Sequence, residues 1–267
     1  MFTPEAISRL VREIRLEHGL PESPFRIDEV RYDPEGGKLF IIAHDRTDKS
    51  VVIGNSLVIG KLRERLGVRQ VTVYSNLDLE IKRRKLNEAE ELLPKELEFL
   101  TPIIEAERRF PPREWPEVTG NLKTLVFLSF SAKPLLGFAK ALKLPYGAIG
   151  LRHTYPRLEY EAVEGDLREL FFPNEDKLVR IARERGAKLV LADFPFPLGE
   201  KDGVYLLNPF RLLHIGFFEL KYLFGFEFPT MVDKEALLEF VAKLTYDGLM
   251  ESTDGAKVVW RYWRRRR

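Results

Sequence analysis

The chain has 267 residues, 45% of them apolar and 31% charged, with 43 Lys+Arg against 41 Asp+Glu and no cysteine. That apolar share supports packed cores and excludes a disordered chain, and the length suits two domains. Lack of cysteine excludes disulfides, a thiolate nucleophile and a Cys-bound metal, while a net charge of +2 leaves room only for a local basic patch.

Residues 4–20 keep the apolar spacing of an amphipathic helix that starts at Pro4. Residues 26–32 alternate as a strand, 33–37 (DPEGG) form a turn, and 39–43 form a second strand, which predicts a hairpin. Residues 45–50 are polar and turn the chain, Val51 to Gly54 follow, and Asn55 and Ser56 are placed to cap a helix over 57–66 that stops at Gly67. A third strand over 70–74 and a charged helix over 79–93 complete the first half. Five prolines between 94 and 116 mark 94–121 as a connection, some of it helical.

The second half changes rhythm. Residues 124–130 (TLVFLSF) are a continuous apolar run, as in a strand buried on both faces. A helix over 134–142, a strand over 146–151, a helix over 175–185, strands over 188–192 and 204–207, a helical stretch over 209–224 and a helix over 233–249 follow. That alternation predicts a doubly wound parallel α/β sheet. The domains are therefore expected at 1–93 and 122–267.

The four histidines, His18, His44, His153 and His214, show no ligand spacing. The N-terminus has no basic region leading into an apolar run, and no stretch of 18 apolar residues occurs, so a cytoplasmic protein with no membrane partner is expected. Abundant Arg, Lys and Glu without cysteine fits a protein that works at high temperature. Asp193 follows a buried strand, where α/β enzymes place catalytic groups. Glu159 and Glu161 fit strand alternation as well as a cleft. The aromatic series Phe210, Phe217, Phe218, Tyr222, Phe224, Phe226 and Phe228 reads as core or as a surface for a partner protein.

In the first half, the order helix, strand, strand, short helix, loop, helix, strand, with the stretch IGNSLVIGKLRERLGV over 53–68, resembles the type II KH fold of RNA-binding proteins. The resemblance implies that Gly54, Asn55, Ser56 and Lys61 approach an RNA backbone. Gly54 stands at the first glycine of the family's loop, and Leu57 stands where the second would be. In the second half, residues 124–151 resemble the start of a PP-loop ATP-pyrophosphatase domain, which implies an adenine-nucleotide α-hydrolase-like fold. Ser129, Ser131 and Lys133 would then lie at the cofactor-binding loop. Phe130 and Ser131 replace the family's two glycines, Lys133 its acidic residue and Pro134 its second serine, which puts the activity in doubt, and no cofactor is expected.

The C-terminus interleaves Trp260, Arg261 and Trp263 before Arg264, Arg265, Arg266 and Arg267. Arginines neutralise phosphates and indoles stack on bases, although both tryptophans also fit a last strand docked on the core. The expected function is a non-catalytic RNA-binding or ribosome-associated protein. A divergent PP-loop enzyme acting on RNA and a protein-binding scaffold are the alternatives.

Overall fold

The structure, a computed structural model, describes residues 2–264. The protein is α/β, in two units: Met1–Glu88 with Ile103–Trp115, and Ala89–Pro102 with Pro116–Arg267.

In the first unit α1 (Pro4–Glu17) is capped by the Thr3 hydroxyl, which accepts from the Ala6 N–H. β1 (Ile27–Asp33) and β2 (Lys38–Ala43) form the antiparallel hairpin, and β3 (Gln70–Ser75) joins β2 in parallel. β2 is the central strand, so both its faces are covered. Leu39 and Ile41 point into a cluster with Ile7, Val11, Val52 and Leu62, while Phe40 and Ile42 pack with Leu79 and Phe110.

The polar stretch after β2 is helical rather than a turn. The Asp45 carboxylate caps α2 (Arg46–Ile53) by accepting from the Asp48 N–H, so the residue that reads as a turn former acts as an N-cap. Gly54 to Ser56 then link α2 to α3 (Leu57–Leu66) through a kink with positive φ at each residue. α4 (Asn76–Glu91) follows β3. The stretch 94–121 is partly helical, as expected. A 3₁₀ segment (Lys95–Leu100) leads into α5 (Thr101–Arg109), and the residues of this stretch divide between the units.

The second unit holds a six-stranded sheet in the order β6-β5-β4-β7-β9-β8. Its strands are β4 (Thr124–Phe127), β5 (Tyr146–Leu151), β6 (Glu161–Val163), β7 (Leu189–Leu191), β8 (Leu198–Lys201) and β9 (Val204–Leu207). All neighbours are parallel except β8 and β9, a hairpin over Asp202 and Gly203 that strand periodicity alone does not reveal. α6 (Ala132–Ala141) begins two residues before Pro134, which is tolerated in the first turn. α7 (Glu175–Glu184) is capped by Asn174.

The helical stretch expected over 209–224 is broken. α8 (Pro209–Leu212) ends as His214 takes a positive φ of 45°, and α9 (Phe217–Phe224) restarts after Gly216. α10 (Lys234–Tyr246) precedes α11 (Ser252–Arg264), so the C-terminal segment is a helix and not a strand. Among the described residues, no helix is long and apolar enough to cross a membrane.

Candidate functional site

β4 is the first strand of the second sheet and lies in its middle, with β5 on one side and β7 on the other. Ligands of such sheets sit at the carboxyl ends of the strands where the winding reverses. Here that point carries Ser129 and Ser131, after β4, and Asp193, after β7. All three are buried. The Ser129 hydroxyl donates to Asp193 Oδ2 at 2.8 Å, the Ser131 N–H donates to the same oxygen at 2.7 Å, and the Asp193 N–H donates to Ser129 Oγ at 3.2 Å. The Tyr155 hydroxyl donates to the Ser129 carbonyl at 2.7 Å.

Burial pushes the Asp193 carboxyl above the usual carboxylate range, against the stabilising pull of the Ser131 and Ser129 donors and the Arg211 charge. Burial, helped by the neighbouring Asp193 charge, holds the Tyr155 hydroxyl well above its ordinary value. The Ser131 N–H at the start of α6, which the PP-loop resemblance would direct at a phosphate, is thus satisfied by the chain's own carboxylate.

Phe130 closes the rest of the space. Its ring is fully buried, 5.1 Å from Phe171, 5.2 Å from Phe226, 5.2 Å from Phe240 and 6.0 Å from Phe217 between ring centres. The cavity left beside Ser131, Asp193, Asn208 and Arg211 measures about 20 Å³, room for one water. Ligand pockets need several hundred Å³. Lys133, the third expected cofactor contact, pairs with Glu227 at 3.1 Å. Among the described residues, no group of three His, Asp or Glu side chains is placed to hold a metal.

In the first unit the expected RNA-contacting loop is exposed at Asn55 and Ser56, while Gly54 is buried. Gly54, Asn55 and Ser56 have φ of 51°, 54° and 69°, three left-handed residues in succession. Gly54 must be glycine on two counts: its φ is positive, and a Cβ would run into Val58. Ser56 precedes α3 but makes no side-chain capping bond, so the expected serine cap is not formed. Leu57, 38% exposed, is an ordinary first residue of α3. Lys61 is half-exposed and pairs with Glu64 at 2.9 Å, while on the same helix Arg63 is exposed and Arg65 pairs with Glu17.

α11 sorts the C-terminal aromatics. Tyr262 is buried and its hydroxyl donates to the Pro229 carbonyl at 3.0 Å, whereas Trp260 is 57% exposed and Arg261 is exposed. Trp263 and Arg264 end the helix with side chains outside the described part, and Arg265, Arg266 and Arg267 lie outside the described residues.

Sequence reasoning missed two clusters. Tyr155, and the charge of Arg211, whose guanidinium pairs with Asp247, complete the Asp193 site from loops and short elements without periodic signal. In the first unit, the Glu107 carboxylate is fully buried and takes the Lys82 ammonium at 2.6 Å, the Arg113 guanidinium at 3.0 Å and the Trp115 indole N–H at 2.6 Å. Phe110 stacks under both cations, 4.6 Å from Lys82 Nζ and 4.5 Å from Arg113 Cζ. No protein-family model, curated protein or solved structure matches this chain.

Proposed function

We propose that the protein is a non-catalytic RNA-binding or ribosome-associated protein. The observation that carries this reading is the exposed left-handed loop at Asn55 and Ser56, which leads straight into the N-terminus of α3. The positive end of a helix dipole favours a phosphate there, and Lys61, Arg63 and Arg65 supply charge along the same helix. The KH resemblance of residues 53–68 supports the same reading. The basic stretch from Lys257 to Arg267 adds a second source of charge for phosphates. The non-catalytic half of the proposal is supported by the water-sized cavity at Asp193, which leaves no room for a nucleotide.

The test is fluorescence anisotropy of the full chain with labelled RNA across a salt series. Binding should weaken with salt, and deleting 264–267 should reduce the slope of log affinity against log salt by about 0.7–0.9 for each phosphate no longer neutralised. Lys61→Ala should weaken binding further. No RNA binding at about 50 mM salt would overturn the proposal. Calorimetric binding of ATP that is abolished in Lys133→Ala would favour the enzyme alternative.

A second reading, a protein-binding scaffold, is favoured by Leu238, Ala242 and Tyr246. They form an exposed apolar stripe along α10 at intervals of four, with Tyr246 92% exposed.

A further inference from the structure

α11 has two faces with different duties. Gly255, Val258 and Tyr262 are buried, at the spacing of one helix face. Gly255 lies so close to Val241 of α10 that a Cβ would stand 2.7 Å from its Cγ1, and the Tyr262 hydroxyl is tied to Pro229. This face is committed to the domain. The opposite face carries Lys257, Trp260 and Arg261, with Lys257 one turn before the other two and so the neighbour of each. The Lys257 side chain is 51% exposed and pairs with Asp254 at 3.0 Å, an exposed ion pair that holds the lysine only weakly.

Trp260 is 57% exposed on a helix whose apolar side packs within the unit. An aromatic ring with a lysine one turn before it and an arginine on the far side of that lysine matches one chemical pattern in particular, a flat base joined to phosphates. The charge is complementary to a polyanion: from 257 onward the sequence has six cationic and no acidic residues. An anionic membrane fits less well, because an interfacial helix buries a broad apolar face in the lipid, and the apolar face of α11 is packed inside the unit. A duplex also fits less well, because its bases are stacked on each other and offer no face to an indole.

We infer that the outer face of α11 is a stacking platform for unpaired bases of single-stranded RNA, with Trp260 beneath a base and Lys257 and Arg261 on flanking phosphates. This inference rests on the RNA-binding reading and deepens it by naming the class of RNA.

The experiment uses the full chain, a labelled single-stranded RNA of about 12 nucleotides and the duplex of the same strand, with Trp260→Ala, Trp260→Phe and Lys257→Ala/Arg261→Ala. The wild type should prefer the single strand. Trp260→Ala should weaken single-strand binding roughly 5- to 150-fold, the equivalent of about 1–3 kcal/mol of stacking, with duplex binding and the salt slope unchanged. Trp260→Phe should retain most of the affinity, the mark of a site that needs an aromatic face. Lys257→Ala/Arg261→Ala should lower the salt slope by about 0.7 for each phosphate released. Unchanged melting temperatures establish that the exposed positions leave the fold intact.

If the wild type binds RNA but Trp260→Ala affects neither form, or affects both equally, the stacking platform is overturned while the RNA-binding reading stands. If the wild type binds neither RNA form, both are overturned. Trp260-dependent binding to phosphatidylserine vesicles with RNA affinity intact would overturn the platform in favour of a membrane surface.

Discussion

At the scale of single residues, the most consequential charge in the first unit is Glu107. Its carboxyl is held down to about 2 by Lys82 and Arg113, which outweigh the opposing effect of burial. Burial in turn lowers the Lys82 ammonium to about 8, against the pull of Glu107. A carboxyl depressed in the folded state stabilises the fold fully above its unfolded value and ceases to do so as pH falls through its folded value. Glu107 therefore adds stability that disappears between pH 4.5 and about 2. Lys82 acts at the other end: between about 8 and 10.5 the unfolded chain holds a proton that the folded chain has released, so its contribution improves as pH rises. Glu107→Gln leaves two buried cations without their counter-charge and should cost about 3–5 kcal/mol. Lys82→Met should cost less, because Arg113 still neutralises Glu107. Urea denaturation at pH 7 gives both values, and the acid-side slope between pH 4.5 and about 2 should flatten in Glu107→Gln. Equal losses of stability in the two variants would refute the assignment of Glu107 as the hub.

At the scale of elements, packing overrides propensity where two helices meet. Gly137 lies inside α6, where alanine would be about 1 kcal/mol better for the helix. A Cβ there would stand 2.6 Å from Cγ of Phe224 on α9. Gly60 inside α3 has no atom within 4 Å of such a Cβ. Gly60→Ala should therefore stabilise the protein by about 0.5–1 kcal/mol, while Gly137→Ala should destabilise it by about 1 kcal/mol or more through overpacking. Thermal melts of the pair decide it, and a stabilised Gly137→Ala variant would show that Phe224 moves aside freely. The same contrast explains what the sequence discloses. Buried strands such as β4 and amphipathic helices such as α7 are legible because one residue pattern determines one element. The break at His214 is not, because no Gly or Pro stands at 214 to signal it, and the β8–β9 hairpin is missed despite its Asp202-Gly203 turn signal because the Leu198–Lys201 strand before it is short and carries little apolar alternation. α11 reads as a strand from its Val258-Val259-Trp260 run, yet its burial follows 255, 258 and 262, a helical period that shows only once the docking face is known. Ser129 and Asp193 are each legible as strand-end residues. Their pairing depends on β4 lying beside β7, and that order is a property of the sheet which no local pattern carries.

At the scale of the whole molecule, the chain does not finish one unit before starting the next. Ala89–Pro102 belongs to the second unit, and Ile103–Trp115 returns to the first. The returning segment brings Phe110 into edge contact with Phe40 at 5.7 Å and Tyr74 at 5.4 Å, and it brings Glu107 to Lys82. A boundary placed at residue 93, where the helical pattern after β3 ends, would cut this segment away. A fragment of residues 1–93 would then expose the face of β2 formed by Phe40 and Ile42 and leave the Lys82 ammonium without a counter-charge in an apolar setting. Removing the burial of one phenylalanine and the partner of one buried cation costs several kcal/mol, a large share of the roughly 5–15 kcal/mol that keeps a domain folded. Residues 1–115 retain Glu107, Phe110, Arg113 and Trp115 together with the groups they pack on. The shorter fragment should show a broad thermal transition by circular dichroism and poor dispersion of amide resonances. The longer one should melt cooperatively with dispersed resonances. If residues 1–93 melt as sharply and at the same temperature as residues 1–115, the returning segment is an ornament on a self-sufficient unit, and Glu107 and Phe110 contribute far less to its stability than their burial implies.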